Sequence, residues 1–384
     1  MSGLPNELFA EILHRLPVKL LLQFRCVSKP WRSLIDSGFI KLHLDRSLES
    51  STNLSLFLRH SSGLYSIDLG SPPLSVVEMN CPLRSYSGQI TEVGSCHGLL
   101  CLCNNAGDVV IWNPSTRKHK FLPHSPVEVR QNFFVRVYGF GFDDEHDDYL
   151  LLRLVQFAVE PIESEVSIYS LKANTWRRLR GMPCFLVYPR KMGVFACGRL
   201  HWIMTRDLVL GSANLLVAFN FHTEDFEVVF LPNVIDNRLD MDVAVLGGCL
   251  CISISDNQMG VDVWIMKEYG LNGTWAKLFS ISPSQVRGSL VFVRPLAYSQ
   301  NGRQVLVQWG SQNLAWYDLE TECIEMVDIC GMPSFFEAEV CLRTLVSVDD
   351  YGCTKRENRN ARNCYSSCPG MSSLRSVSIL LSEL

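Results

Sequence analysis

From Asn53 to about Val348 the sequence repeats one short theme: an alternating apolar run, a polar turn, then an aromatic or aliphatic residue that opens the next run. Its copies are Tyr65-Ser66-Ile67-Asp68-Leu69, Trp112-Asn113-Pro114-Ser115-Thr116, Tyr169 to Trp176, Phe219 to Phe226, Trp264 to Trp275, and Tyr317-Asp318-Leu319-Glu320-Thr321. With Ile67, Trp112, Tyr169, Phe219, Trp264 and Tyr317 as markers, the steps are 45, 57, 50, 45 and 53 residues. A period near fifty with several strands per unit predicts the blades of a β-propeller, because each blade buries its faces only against its neighbours and the ring must close. Six markers predict about six blades; a β-sandwich or smaller barrels is the alternative. Glu339-Val340-Cys341-Leu342 and Leu345-Val346-Ser347-Val348 are the expected closing strands. A second unit, Gly98-Leu99-Leu100-Cys101, Gly198-Arg199-Leu200-His201-Trp202 and Gly248-Cys249-Leu250-Cys251, places glycine at a turn before an inner strand.

The first forty-odd residues follow a different period. Leu4-Pro5 opens a helical pattern, since proline at a first helical position has no N–H to lose. Leu8, Ile12, Leu13 and Leu16 form one apolar stripe, with Glu7, Glu11 and Arg15 opposite. Leu16-Pro17 interrupts it; Val18, Leu21, Leu22 and Phe24 make a second short helix, and Ser28 is placed to cap a third through Trp31, Leu34 and Ile35. Phe39 and Leu42-Leu44 are expected behind it. Three helices of this size enclose little apolar surface, so the unit is expected to lean on a partner or on the domain that follows.

Charge divides the chain at the same places. Residues 1–46 carry a net +3, residues 351–384 a net +3, and residues 47–350 a net −10, against −4 overall. The domain reading is therefore 1–46, 47–350 and a basic, unstructured tail over 351–384. The small net charge gives no global attraction to nucleic acid or membranes. Fifteen cysteines, an odd number with no export signal, fit reduced thiols and an intracellular setting.

The residues Leu4-Pro5-Asn6-Glu7-Leu8 to Leu16-Pro17, followed by Phe24-Arg25-Cys26-Val27-Ser28-Lys29-Pro30-Trp31-Arg32-Ser33-Leu34-Ile35, resemble an F-box. The resemblance implies docking on a Skp-type adaptor, which hangs from a cullin scaffold carrying a RING subunit. Carried over by position, the adaptor-facing residues are Leu4, Pro5, Leu8, Ile12, Leu16, Pro17, Leu21, Arg25, Lys29 and Trp31. Further on, Trp112-Asn113-Pro114-Ser115-Thr116-Arg117, Tyr138-Gly139-Phe140-Gly141-Phe142-Asp143, Asp147-Asp148-Tyr149 and Val261 to Tyr269 are similar to signatures of the plant F-box-associated, kelch-type interaction domain. Within that plant F-box/kelch-repeat family the chain is most similar to the defence-related, constitutive-expresser-of-pathogenesis-related-genes type. This implies immune receptors as a target class and a cytoplasmic and nuclear location. After Asp147-Asp148-Tyr149 the family's usual basic residue is replaced by Leu150.

Several motifs imitate chemistry. Gly94-Ser95-Cys96-His97-Gly98 has the spacing of a nucleophile elbow but lacks the strand–turn–helix context, and reads as a blade turn. Asp143-Asp144-Glu145-His146-Asp147-Asp148 lacks the spacing of a calcium loop and reads as a solvated connection. Cys101 with Cys103 and Cys249 with Cys251 alternate on strands and read as core, and Cys364 with Cys368 lacks zinc spacing. The clusters Arg117-Lys118-His119-Lys120 and Arg177-Arg178-Leu179-Arg180 read as solvated turns, and the sequons at Asn53 and Asn272 as silent. The expectation is a multi-domain α plus β chain, F-box then all-β propeller. It has no catalytic residues, metal or cofactor, and serves as the substrate-recognition subunit of a ubiquitin ligase. The alternatives are a non-degradative adaptor-binding scaffold and a propeller enzyme or small-ligand binder.

Overall fold

The structure is a computed structural model that describes residues 11–351, apart from 28, 37–38, 51–52, 62, 71–73, 86–87, 126–132, 158–162, 183, 187–191, 207–211, 257–258, 271–273 and 287–291. The alternating runs become strands as their period of two dictates. The first three are β1 (Leu54–His60), β2 (Gly63–Asp68) and β3 (Val76–Met79). They are followed by β4 (Ile90–Cys96), β5 (Leu99–Asn104), β6 (Val109–Trp112) and β7 (His119–Phe121). Next come β8 (Phe133–Asp143), β9 (Asp148–Phe157), β10 (Glu163–Ser170) and β11 (Thr175–Arg178), and the two-residue β12 (Phe185–Leu186). The remainder are β13 (Met192–Ala196), β14 (Arg199–Thr205), β15 (Asn214–Asn220), β16 (Asp225–Val229), β17 (Asp240–Leu246), β18 (Cys249–Asp256), β19 (Gly260–Met266) and β20 (Trp275–Ile281). After them lie β21 (Val293–Tyr298), β22 (Gln304–Trp309), β23 (Asn313–Asp318), β24 (Ile324–Met326) and β25 (Glu337–Leu342).

Among the described residues these make five sheets: β4 to β7, β17 to β20, β21 to β24, the order β25-β1-β2-β3, and one nine-stranded sheet. The large sheet consists of two antiparallel meanders, β8 to β11 and β13 to β16, joined where β8 and β13 run parallel, with β12 on β14. The expected closure by Glu339–Leu342 is met, since β25 pairs antiparallel with β1, Val340 opposite Leu56. Leu345 to Val348 form no strand; they pass as an extended strap with Leu345, Val346 and Val348 buried. No sheet edge is available there, because β1 already has β25 and β2 on its two sides.

Packing between sheets runs all the way round. Phe57, Leu64 and Cys341 meet Leu100, Val110 and Trp112; Cys101 and Ile111 meet Tyr138, Leu151 and Tyr169. Leu152 and Ile168 meet Leu200 and Phe219; Leu216 and Ile203 meet Val243 and Ile252; Val263 and Phe279 meet Val305 and Tyr317. Leu306 and Leu314 then return to Leu56 and Ile67 of the first sheet. This unbroken circuit of apolar faces is a β-propeller and excludes the sandwich alternative.

The six markers all fall on the third strand of their four-strand set, β2, β6, β10, β15, β19 and β23. The residue after each marker explains the recurring polar turn. Asp68, Asn113, Asn220 and Asp318 accept backbone N–H bonds through Oδ1 from Gly70, Ser115 and Thr116, His222, and Glu320 and Thr321, at 2.8–3.1 Å. Such side chains substitute for a backbone turn. In the β10–β11 turn Ser170 Oγ accepts from Ala173 N, and only Trp264 is followed by an apolar residue, Ile265.

Where β8 and β13 meet, Gly139 stands opposite Gly193. A methyl group on Gly193 would sit 2.3 Å from Cε2 and Cζ2 of Trp202, an indole only 2 % exposed. We predict that Gly193→Ala lowers stability by about 2 kcal/mol, the scale of overpacking a closed core, read as a fall in the thermal midpoint. An unchanged midpoint would mean that the indole has room to move.

The helical unit departs from the expected three helices. A helical stretch over 11–14 precedes α1 (Val18–Val27), α2 (Lys29–Asp36) and α3 (Phe39–Ser50). The fourth helix was unexpected because Phe39, Ile40, Leu44 and Ser47 face inward while Leu42, expected in the core, is 57 % exposed. Helix α3 runs through Arg46, so the boundary expected there falls inside a helix. The expected cap Ser28 and the tail from 352 lie outside the described residues.

Candidate docking surface and propeller channel

Within the helical unit a small core forms from Leu13, Val18, Leu21, Ile35 and Phe39, with Leu345 of the strap as its sixth member. Leu44 of α3 faces the other way, into the propeller core around Cys96 and Leu99, and Ile40 packs against both cores. The helices therefore lean on their own propeller along α3 and the strap, not along the whole of their apolar surface. The strap is held by Asn113, fully buried, whose Nδ2 donates to the carbonyls of Thr344 at 3.1 Å and Val346 at 2.7 Å. Arg343 adds Ser55 at 2.8 Å and Asp68 at 2.7 Å, and Lys118 pairs with Asp349 at 2.5 Å.

The expected adaptor-facing residues separate into three groups. Leu4, Pro5 and Leu8 lie outside the described residues. Ile12 is 49 % exposed, and Pro17 and Lys29 are exposed. Leu16 and Trp31 are half-buried, Trp31 standing edge-on to Phe24 at 4.9 Å. Leu21 is a correction: it is fully buried, because the turn at Pro17 rotates α1 so that Val18 and Leu21 point at Leu345. Arg25 is half-buried, and its guanidinium joins α1 to α2 through Asp36 at 2.7 Å. Leu20 and Val27, missed in the sequence, are 38 % and 69 % exposed. Their signal was their position off the stripe Val18-Leu21-Leu22-Arg25.

Other motifs prove structural. His97 and Gly98 form the two-residue β4–β5 turn, both with positive φ, and a methyl on Gly98 would strike Thr344 Cγ2 at 2.2 Å. Cys197-Gly198 and Gly247-Gly248 repeat that turn. Asp143 and Asp148, both buried, turn their carboxylates onto the N–H groups of Glu145 and Lys172 and onto His146 and Ser170. Of the basic clusters, Arg177 pairs with Glu224, Arg178 with Glu165 at 3.4 Å, and Lys120 donates to the carbonyls of Leu171 and Tyr351. Cys101 and Cys103 are fully buried, and burial pushes the Cys103 thiol well above its usual value.

The first strands β4, β13, β17, β21 and β25 line a central channel containing two cavities. One of about 330 Å³ adjoins the helices at Ser47 and Leu48 and is ringed by the glycine turns at 98 and 247–248. The other, about 430 Å³, opens at the far end past Phe292, Gly310, Ser311 and Glu337. Its wall carries the carboxylates of Glu92, Asp242, Glu337 and Glu339 and the guanidiniums of Arg59 and Arg294. Arg59 pairs with Glu337 at 2.7 Å and Arg294 with Asp242 at 3.3 Å. Burial opposes the charge on Arg294, but Asp242, Glu339 and Glu337 outweigh it and its pKa is raised.

This architecture agrees with what the chain is similar to. Residues 1–43 match the F-box domain and residues 54–339 the F-box associated beta propeller domain. F-box protein CPR1 of Arabidopsis thaliana is 36% identical over 90% of this chain and 89% of its own length. F-box protein At4g22390 of the same plant is 34% identical over 90% of both, and F-box/kelch-repeat protein At3g23880 is 30% identical over 91% of this chain and 96% of its own. A helical unit carried by the strap of a closed propeller, and matched over nine-tenths of the chain in this way, places the chain in the family of F-box proteins with an F-box-associated β-propeller.

Proposed function

We propose that this chain is a non-catalytic substrate receptor of an SCF-type cullin–RING ubiquitin ligase, with the helical unit docked on a Skp-type adaptor and the propeller holding the target for ubiquitination and proteasomal degradation. The observation that carries the reading is the division of the helical unit's apolar side chains. Leu13, Val18, Leu21, Ile35 and Phe39 close a core with the strap, while Ile12, Leu20 and Val27 stay exposed on helices whose other side is already occupied. Exposed apolar side chains clustered on so small a unit mark a protein interface. We count the two meanders of the nine-stranded sheet as separate blades, which makes six. A role in defence with an immune receptor as target, and a cytoplasmic and nuclear location, are part of this reading and rest on the resemblance of the sequence to the defence-related F-box/kelch type.

In such a receptor the catalytic contribution is proximity: the target is held near a ubiquitin-charged enzyme, so its effective concentration rises without chemistry by this chain. The strap supports this, because Leu345 and Asn113 tie the helices to the propeller and hold the two ends of the molecule at a set distance.

Ile12→Asp tests the reading, since Ile12 lies outside the core to which Leu16 and Leu21 belong. Placing a carboxylate in an apolar interface is expected to weaken adaptor binding by about 2 kcal/mol, roughly thirty-fold, with the thermal midpoint unchanged. Titration calorimetry against a purified Skp-type adaptor reads the affinity, and a thermal melt reads the midpoint. Undiminished affinity would move the docking surface elsewhere, and failure of the unaltered chain to bind the adaptor would overturn the function.

A further inference from the structure

The channel cavity of about 330 Å³ is walled by both parts of the molecule. Ser47 and Leu48 of α3 stand on one side and five first strands on the others. Most of its lining is apolar, with Leu48, Val93, Met192, Phe195, Val245 and Leu296 among the contributors. The turns at Gly98 and Gly247-Gly248 put no side chain across its mouth, and a methyl group on Gly248 would meet nothing within 4 Å.

The polar groups on this wall are unequally engaged. Ser95 Oγ lies 2.6 Å from the Val340 carbonyl and 3.0 Å from a Glu339 carboxylate oxygen. The Arg294 guanidinium is held by Asp242 and by the Ala338 carbonyl. His97 differs. Its ring rests against Phe142 at 4.9 Å and Phe195 at 6.2 Å, and Nδ1 is buried with no hydrogen-bond partner. Among the described residues nothing hydrogen-bonds to Nε2 either, and Asp45 acts on the ring as a nearby charge alone. Burial keeps the imidazole neutral, with its pKa pushed down to about 4, so it carries one proton. On Nδ1 that proton would be a sealed donor without an acceptor, which is costly, so it belongs on Nε2. The wall therefore holds a neutral donor with nothing to donate to. Water is a poor general occupant, because each molecule needs roughly two to four polar partners and this lining is mostly apolar.

We propose that this cavity binds a small, neutral, largely aromatic molecule whose carbonyl oxygen accepts a hydrogen bond from His97 Nε2. The inference does not depend on the substrate-receptor reading. Aromatic rings suit Leu48, Met192 and Phe195, and the carbonyl gives His97 the acceptor it lacks. The volume lies at the lower end of the range, about 300–1,000 Å³, of pockets that hold small organic ligands. An ionised ligand is disfavoured, since the surroundings that keep His97 neutral also penalise its charge. Because Leu48 belongs to α3, an occupant adds contacts between helices and propeller, so binding stabilises their union.

The test uses the full chain and two probes of similar shape: 7-methoxycoumarin, which has a lactone carbonyl, and 2-methoxynaphthalene, which has none. In equilibrium dialysis 7-methoxycoumarin is expected to bind and, at saturation, to raise the thermal midpoint. It is also expected to slow iodoacetamide labelling of Cys197, an exposed thiol on the cavity wall, at least five-fold, and to leave the exposed Cys323 unaffected. His97→Phe keeps a ring against Phe142 and removes the donor. It is expected to weaken 7-methoxycoumarin about ten-fold and to leave 2-methoxynaphthalene unchanged. Leu48→Ala, at a side chain 44 % exposed, spares the fold and is expected to weaken both probes about three-fold. Failure of the unaltered chain to bind 7-methoxycoumarin overturns the inference, as does binding that leaves Cys197 unprotected or that His97→Phe does not weaken. Should His97→Phe fail to fold, affinity unchanged in Leu48→Ala overturns it instead.

Discussion

Asn113→Asp is expected to lower the stability of the whole molecule by about 4 kcal/mol, although it replaces one small polar side chain by an isostere. Asn113 is fully buried and uses both ends of its amide: Oδ1 accepts from Ser115 and Thr116, and Nδ2 donates to the carbonyls of Thr344 and Val346. A carboxylate keeps the first pair but turns an oxygen toward two carbonyl oxygens in a site closed to water. Two buried acceptors lose their donor and a charge is added without a cation, each on the scale of about 1–3 kcal/mol. Asn113→Ala, which opens the turn but introduces no charge, is expected to cost about 3 kcal/mol. Since Leu345 lies on the released strap and completes the core of the helical unit, the damage spreads. Hydrogen exchange is expected to quicken in α1 and α2 of Asn113→Asp, far along the chain from the substitution. Protection unchanged in those helices would show that the strap does not couple the two parts.

The second large effect is a loss of stability in mild acid. His201 is fully buried, with Nδ1 3.3 Å from the Val194 carbonyl and Nε2 2.8 Å from the Tyr269 hydroxyl. A neutral ring satisfies both, donating to Val194 and accepting from Tyr269. Burial pushes its pKa down to about 4, against about 6.5 in an unfolded chain. Above the unfolded value the ring is neutral in both states and contributes nothing to the pH dependence. As the pH falls from 6.5 toward 4 only the unfolded chain takes up the proton, so folding weakens, by about 3 kcal/mol at the lower limit, and then levels off. His97, also pushed down to about 4 by burial, acts in the same direction. His201→Gln retains an acceptor for Tyr269 and does not titrate. The difference between its urea midpoint and that of the unaltered chain is expected to shrink steadily from pH 7 to pH 4.5. A difference independent of pH would show that His201 takes up its proton at the same pH in the folded and the unfolded chain.

Much of this molecule was legible before any coordinates. The fifty-residue spacing of Ile67, Trp112, Tyr169, Phe219, Trp264 and Tyr317 announced the blades because each marker occupies the same third strand, and a strand's chemistry is local. The polar residue after five of the six markers was legible for the same reason, since Asn113 or Asp318 shapes a turn out of its own next three residues. The F-box resemblance held over residues 1–43, where helical spacing and prolines lie close in sequence.

What remained hidden depends on residues far apart in the chain. Leu21 has the spacing of a docking residue and is buried because Leu345, more than three hundred positions away, arrives on top of it. Leu345 to Val348 look like a strand and are not, since β25 and β2 have already taken both edges of β1. The charged cavity was equally invisible: Arg59 and Glu337 come from one blade and Glu92, Asp242 and Arg294 from three others, and only ring closure brings their charges together. Local periodicity by itself determined which strands and helices exist and the order in which they repeat. Closure of the ring decided which side chains are sealed, which are presented, and at which end, because burial is set by neighbours in space and those neighbours are remote in sequence.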